Sequence, residues 1–317
     1  MQLQDIKVLE FDLSSKCNAA CPQCARSQNN FTNISNNNEV TLGLIKKWIP
    51  LKVLNNLEIV SFKGTFSEPV LANEFLDIVQ FFVDHSKAKL LIHTNGSLRK
   101  PEWWADLAAR TLNRAQVFFA IDGLEDTHHL YRINTSYNKI IENAKAFIDA
   151  GGNARWQFIK FKHNQHQIEA AEQLAIQMGF RKFLIIDNDR FLENSAVKTN
   201  KGNYLEKSQL DTAATHEEFR KQIKQNLKGV ACQSKLTGWV TIDWDGDVFP
   251  CCYSQVWKSN FSNYSVDDLI WKKARDNKSN NLNDNSLDAI LKMFASLYSL
   301  HDRKAIPVVC AKHCSIN

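Results

Sequence analysis

Three cysteines near the amino terminus, Cys17, Cys21 and Cys24, have the spacing C-x3-C-x2-C. Three thiolates from one tight loop can bind three irons of a 4Fe-4S cluster and leave the fourth iron without a protein ligand. A zinc site with a fourth ligand from elsewhere, or a redox-sensing thiol cluster, would use the same residue types. The spacing therefore predicts a metal or redox centre and leaves its type open.

Five more cysteines follow only after a gap of about 200 residues, at Cys232, Cys251, Cys252, Cys310 and Cys314. The first residues, 1–5, lack the basic start and apolar run of a signal peptide, so we expect a cytoplasmic protein. In a reducing cytosol, clustered cysteines indicate metal ligands or catalytic thiols rather than disulfides. The distribution predicts two separate metal sites.

The composition is that of a globular protein without a membrane span. Hydrophobic residues make up 44% and charged residues 23% of the 317 residues, and the richest apolar window, 75–83, is interrupted by Asp77 and Gln80. The formal charge of +5 is spread along the chain. Nucleic-acid binding usually needs a concentrated basic face, so we predict neither a membrane nor a nucleic-acid partner.

The elements that must position the first three cysteines alternate between strand and helix. Alternating or apolar runs predict six strands, and helical spacing of apolar residues predicts the helices between them. The predicted strands are 6–13, 57–62, 89–93, 117–121, 156–161 and 183–186. Strands separated by single helices favour a parallel sheet, so the fold class is α/β with the form of a partial (β/α)6 barrel.

Loops that follow parallel strands lie on one edge of the sheet and build the site there. The first such loop carries the three cysteines, and the second carries the segment 63–69 with Ser67 and Glu68. The third and fourth carry Asn95 and Asp122. We expect these residues to lie close together.

A second, smaller region begins after a polar stretch. We predict domains at 1–190 and 231–317, with a linker at 191–230 that includes a helix at about 215–227. The second region has a predicted strand at 239–242, a turn rich in Asp and Gly, and a helix at 287–300. It is predicted to be a small α+β domain.

With these motifs the sequence resembles the radical S-adenosylmethionine (SAM) superfamily, in the branch with a carboxyl-terminal SPASM or Twitch auxiliary-cluster domain. The resemblance is carried by the cysteine trio, by Gly-Thr-Phe-Ser-Glu-Pro at 64–69, by Thr-Asn-Gly at 94–96 and by the distal cysteines. It implies that Cys17, Cys21 and Cys24 bind a 4Fe-4S cluster whose open iron chelates SAM. It also implies a partial barrel and reductive cleavage of SAM to a 5'-deoxyadenosyl radical that abstracts a substrate hydrogen.

The same resemblance assigns roles around SAM. Glu68 would accept hydrogen bonds from the SAM ammonium, beside Ser67 in place of the family's usual glycine. Asn95, Asp122 and Lys160 are candidates for ribose, carboxylate or substrate contacts, and Arg132 for the SAM carboxylate. A helix-terminal charge for Glu68, turn roles for the three candidates and a surface salt bridge for Arg132 are the alternatives. Gln23 occupies a position where many members place an aromatic residue against adenine, so Phe66 or Phe161 would have to supply that contact.

The distal set Cys232, Cys251, Cys310 and Cys314 would bind one auxiliary 4Fe-4S cluster, which favours the Twitch type. Cys252 could replace Cys251, and zinc suits four thiolates equally well.

The expected function is hydrogen abstraction that oxidises or cross-links a small metabolite, with flavodoxin or ferredoxin as the one-electron donor. The alternatives are a maturase of a ribosomally made peptide and, from another class, a metal-stabilised RNA-binding module.

Overall fold

A computed structural model describes residues 1–28, 38–188, 196–199, 202, 204–210, 229–230, 232–255, 277–299 and 314–316. The predicted helix at 215–227 lies outside these residues, as does Cys310.

The central element is a sheet of eight strands within the described part of the chain. Its six amino-terminal strands run parallel in sequence order, which confirms the predicted βα alternation. They are β1 (Val8–Phe11), β2 (Ile59–Lys63), β3 (Lys89–Thr94), β4 (Ala115–Ala120), β5 (Asn153–Ile159) and β6 (Lys182–Ile186). Strand β1 is shorter than predicted, and β5 begins three residues earlier. The sheet does not close on itself, so the fold is a partial barrel.

Helices connect these strands. They are α1 (Ala25–Gln28), α2 (Leu42–Trp48), α3 (Leu51–Leu54), α4 (Phe75–His85), α5 (Pro101–Thr111), α6 (His128–Tyr131), α7 (Tyr137–Asp149) and α8 (Ile168–Met178). Local signals set their ends: the Thr41 hydroxyl accepts a hydrogen bond from the Leu44 N–H at 3.2 Å, and Gly179 ends α8 in the left-handed region. No described helix is long and apolar enough to cross a bilayer.

The two faces of the sheet differ in chemistry. One face packs under the helices through fully buried side chains such as Phe11, Phe62, Phe119 and Trp156, which belong to the main hydrophobic core. Because side chains alternate along a strand, the intervening residues lie on the opposite face. We call this opposite side the inner face, and it carries Glu10 and other polar side chains.

The carboxyl-terminal region joins the same sheet. Its elements are β9 (Gly229–Val230), α9 (Gln233–Thr237), β10 (Trp239–Ile242), β11 (Val248–Phe249), α10 (Cys252–Gln255), α11 (Leu287–Ser299) and β12 (Ser315–Ile316). Strand β10 pairs in parallel with β1, and β11 pairs antiparallel with β10 at one sheet edge. The strand predicted for the second domain therefore extends the first domain's sheet.

A short hairpin of β7 (Ala196–Lys198) and β8 (Tyr204–Glu206) lies within the predicted linker. Its Leu205 is buried against Tyr131, Phe161 and Cys21. This part of the segment 191–230 therefore packs on the cysteine loop, while the predicted domain boundaries stay predictions.

Candidate functional site

The loop after β1 places Cys17, Cys21 and Cys24 at the carboxyl edge of the sheet. It is anchored by the Ala20 N–H, which donates to the Ile133 carbonyl at 3.0 Å, and Cys21 lies in a small apolar cluster. Among the described residues, the three sulfurs do not all lie within 4.8 Å of one another.

The pKa values of two of these thiols are also compatible with a metal site. Burial, and then the nearby Glu68, raise the pKa of Cys17 well above its usual range. Burial likewise raises the pKa of Cys21. Thiolates at such positions need a cation to stabilise them, and metal coordination deprotonates a thiol outright.

Glu68 lies beside the cysteine loop with both carboxylate oxygens engaged. Its Oε1 accepts from the Thr94 hydroxyl at 2.6 Å, its Oε2 accepts from the Asn95 N–H at 2.7 Å, and its own N–H donates to the Lys16 carbonyl at 2.8 Å. Burial raises the pKa of Glu68 to about 7, against the lowering effect of these hydrogen bonds. Gly64 permits the turn, since a Cβ there would lie 1.7 Å from the Ser67 carbonyl oxygen.

The amide side chain of Asn95 links the loop after β3 to the cysteine loop after β1. It donates to Asn18 Oδ1 at 2.8 Å and accepts from Ser97, and Asn18 in turn donates to the Ser97 hydroxyl at 2.9 Å. Hydrogen bonds among Asn18, Asn95 and Ser97 thus hold the Cys17–Cys21 turn against the loop after β3.

Arg132 and Asp122 form a buried ion pair on the other side of the loop. The Arg132 Nε lies 2.5 Å from Asp122 Oδ2, and its Nη1 lies 3.7 Å from the Cys21 sulfur. Burial alone would lower the pKa of Arg132, but Asp122 and Cys21 raise it above its usual range. Asp122 Oδ1 also accepts from the Ile159 N–H at 2.6 Å. Asp122 therefore orients Arg132 and the end of β5.

The Ser67 hydroxyl belongs to a buried hydrogen-bond network. It donates to Asp12, directly after β1, which also accepts from the Phe66 N–H at 3.3 Å and from Gln255 Nε2 at 3.2 Å. Burial raises the pKa of Asp12 to about 7. The network thus joins Ser67 to the end of β1 and to α10.

The remaining predicted contacts are occupied by protein groups. Lys160 Nζ lies 2.5 Å from Asp187 Oδ1 and donates to the Leu210 carbonyl at 2.8 Å. Phe66 is buried against Trp244, and Phe161 is buried between Tyr131 and His163. Gln23 is buried and accepts from Asn188 Nδ2 at 2.7 Å. Of the two predicted adenine contacts, Phe161 is the one beside the cysteine loop.

Of the distal cysteines, Cys232 and Cys314 lie close together, and Cys232 lies just before β10. The Gln233 N–H, next to Cys232, donates to the Cys314 sulfur at 3.5 Å, and the Cys232 thiol contributes to a raised pKa of Cys314 after burial. Cys251 follows β11, which runs antiparallel to β10. Cys252 instead lies against Glu10 on β1, where burial and then Glu10 raise its pKa to about 12.

Comparisons with known proteins address both regions. Residues 232–315 match the family model of SPASM, an iron-sulfur cluster-binding domain. Among solved structures, the chain is similar to hexahistidine-tagged anSMEcpe with bound AdoMet, at 15% identity and a TM-score of 0.55 over 90% of this chain and 79% of that one. The chain shares the fold of this AdoMet-bound protein, and residues 232–315 are similar to the SPASM iron-sulfur cluster-binding domain.

Two further structures have the same fold. One is native anSMEcpe with AdoMet and the Kp18Cys peptide, at 16% identity and a TM-score of 0.54, covering 90% of this chain and 80% of that one. The other is Streptococcus suis SuiB bound to its precursor peptide SuiA, at 16% identity and a TM-score of 0.52, covering 81% of this chain and 61% of that one. No protein of curated function matches the sequence.

The SPASM match confirms the predicted auxiliary iron-sulfur region, whose individual ligands stay predictions. Several residues that position Glu68 and the cysteine loop were not predicted from the sequence, namely Thr94, Asn18, Ser97 and Lys16. Thr94 and Asn18 directly adjoin predicted site residues, and that adjacency was the available signal. Their partners lie 26 or more residues away and were not readable from spacing.

Proposed function

We propose that the chain binds a 4Fe-4S cluster through Cys17, Cys21 and Cys24, binds SAM at its open iron and cleaves SAM reductively. The observation that carries this proposal is the placement of one carboxylate, Glu68, and one guanidinium, Arg132, beside the same cysteine loop. The amino and carboxylate groups of SAM need an acceptor and a cation of this kind. When bound, the cluster supplies the electron that divides SAM into methionine and a 5'-deoxyadenosyl radical.

The chain's own residues would hold SAM in a fixed orientation. Glu68 accepts the ammonium, and because Thr94 and Asn95 hold its carboxylate, little side-chain freedom is lost on binding. Arg132 binds the carboxylate with the guanidinium nitrogens that Asp122 does not use. Asn95 and Lys160 remain candidates for ribose or substrate contacts, with Lys160 requiring release from Asp187.

The auxiliary cluster is proposed on Cys232, Cys251, Cys314 and Cys310, the last of which lies outside the described residues. Cys252 is not proposed as a ligand, because its thiol is directed at Glu10. The four-cysteine count favours a single auxiliary cluster, as in the Twitch type.

The proposed reaction is hydrogen abstraction that oxidises or cross-links the substrate, with flavodoxin or ferredoxin as the electron donor in the cytoplasm. A small metabolite was the expectation from the sequence. A peptide is the second candidate, and it is supported by the fold shared with anSMEcpe and SuiB, which are known with bound peptides.

The decisive experiment is anaerobic incubation of reconstituted protein with dithionite and SAM. We expect release of 5'-deoxyadenosine, even without substrate, and none from Cys17→Ala. We expect Cys17→Ala and Cys310→Ala each to lose about four irons. Absence of 5'-deoxyadenosine from the iron-loaded wild type would reject the enzyme, and tight, salt-dependent RNA binding would then support the non-catalytic alternative.

A further inference from the structure

A row of side chains crosses the inner face of the sheet at one level. The strand register aligns Lys63 with His93, His93 with Phe118, Phe118 with Arg155, and Arg155 with Lys182. Aligned residues on neighbouring parallel strands point to the same side of a sheet. Their chain neighbours Ile92, Phe119, Ala154 and Trp156 lie in the core under the helices, which places the row on the inner face.

The middle of the row is an aromatic stack. The His93 and Phe118 rings lie parallel, with centroids 4.3 Å apart and planes 3° apart. Burial, and then Lys63, lower the pKa of His93 to about 4, so the imidazole is neutral at pH 7. The Arg155 guanidinium lies over the other ring, 5.4 Å from the Phe118 centroid. The stack thus provides a flat, uncharged surface beside a cation.

Arg155 has an unused buried donor. Among the described residues, its buried Nε has no hydrogen-bond partner and Arg155 forms no ion pair. An unsatisfied donor on a charged group is costly, because it has lost water without gaining an acceptor. Such a group on the inner face, away from the helices, points to a ligand that supplies the acceptor.

Lys182 strengthens this argument. It lies directly opposite Arg155 on β6 and likewise forms no ion pair within the described residues. Like charges that face each other on neighbouring strands are destabilising. The acids on nearby elements are directed elsewhere: Asp187 pairs with Lys160, Asp122 pairs with Arg132, and Glu10 lies beside Lys63 and Cys252. An anion between the two cations would remove the repulsion and satisfy Arg155.

We propose that Arg155 and Lys182 bind an oxyanion of the substrate, a carboxylate or a phosphate, with the adjoining part of the substrate resting on the Phe118–His93 stack. The inference rests on the proposed function, since the inner face is the substrate side only if SAM reacts at the carboxyl edge of the strands. It narrows the substrate to an anionic metabolite or a peptide with an acidic group.

The test is calorimetric titration of the reconstituted, unreduced protein with SAM present. Succinate and inorganic phosphate are the two probes, and succinamide is the uncharged match for succinate. We expect wild type to bind one or both oxyanions at least about 10-fold more tightly than succinamide. Preference for succinate would indicate a carboxylate, and preference for phosphate a phosphate ester.

The variants locate the site. Arg155→Gln should weaken oxyanion binding about 10-fold or more, Arg155→Lys less, and Lys182→Gln by an intermediate amount. Lys139→Gln, which removes an exposed charge from α7 on the helix side, should leave binding unchanged. If Arg155→Gln fails to fold, Lys182→Gln tests the same site, because Lys182 is exposed. The proposal is overturned if neither oxyanion binds better than succinamide, or if Lys182→Gln and the folded Arg155 variants bind like wild type.

The two proposals fail separately. Oxyanion binding without release of 5'-deoxyadenosine would reject SAM cleavage and keep the binding site. Release of 5'-deoxyadenosine without oxyanion binding would reject the oxyanion site and keep SAM cleavage.

Discussion

Removing the Arg132 guanidinium should affect both the stability of the fold and the binding of SAM, because Arg132 pairs with the buried Asp122 and is proposed to bind the SAM carboxylate. In Arg132→Gln, the Asp122 carboxylate loses its cation in a fully buried setting. Breaking a buried pair from one side costs about 3–5 kcal/mol, much of it the cost of the uncompensated charge. The variant should therefore be clearly destabilised and should also bind SAM poorly.

The size of the effect follows from chain length. An entropy of unfolding of about 2.1 cal/mol/K per residue amounts to roughly 0.7 kcal/mol/K for the 317 residues. A loss of about 3–5 kcal/mol then lowers the thermal midpoint by about 4–7 °C. The lost contact with the SAM carboxylate, at about 1.5–3 kcal/mol, weakens SAM binding about 10- to 150-fold.

The double variant Asp122→Asn/Arg132→Gln distinguishes the roles. Replacing both charges removes the buried uncompensated carboxylate, so most of the lost thermal stability should return, while SAM affinity should stay low. Midpoints come from anaerobic scanning fluorimetry and affinities from equilibrium dialysis. A double variant as unstable as Arg132→Gln would contradict the account of stability, and wild-type SAM affinity in either variant would remove Arg132 from the SAM site.

Three further outcomes are expected. Glu68→Gln should weaken SAM binding in dialysis by about 10-fold or more, because the ammonium loses a charged acceptor, and unchanged affinity would exclude Glu68 as its partner. Cys251→Ser should lose about four irons while Cys252→Ser keeps the wild-type content, and the opposite result would exchange their roles. Asp12 has a folded pKa of about 7 against an ordinary 3.8, so the folded state holds its proton more tightly and the free energy of unfolding should fall as pH rises from about 4 to 7. At about 1.36 kcal/mol per unit, wild type should lose about 4 kcal/mol relative to Asp12→Asn over this range in denaturant titrations, and a difference that does not vary with pH would refute the assignment.

The sequence predicted the parts of the fold that depend on local patterns. Alternation and helical spacing identified six strands and their helices, and the rule that loops after parallel strands share one edge brought Glu68 and Asn95 to the cysteine loop. The pairing of β10 with β1 was not predicted, because alternation says which residues share a face and says nothing about which strand lies alongside. The two strands are separated by more than 220 residues of sequence.

The protein partners of the polar side chains could not be predicted from the sequence. Asp122 bonds Arg132 and the Ile159 N–H, and the Ser67 hydroxyl donates to Asp12. The contacts predicted for Asp122 and Ser67 around SAM stay predictions. A sequence shows that a polar group follows a strand, but the direction of that group depends on which buried donors and acceptors of other strands need a partner.

The pairing of β10 with β1 also brings the segment after β11 close to the cysteine loop. The cysteine loop begins beyond Phe11 at the carboxyl end of β1, whereas Cys232 precedes β10, which runs parallel to β1. Cys232 therefore precedes the sheet at the end opposite the cysteine loop, and the four residues of β1 span on the order of 13 Å. Asp12, directly after β1, accepts from Ser67 on one side and from Gln255 of α10 on the other. Asp12 thus links the segment that carries Glu68 to the helix that follows Cys251. A change at Asp12 should therefore alter both the proposed SAM site and the proposed auxiliary site, whereas Glu68→Gln should alter only the SAM site.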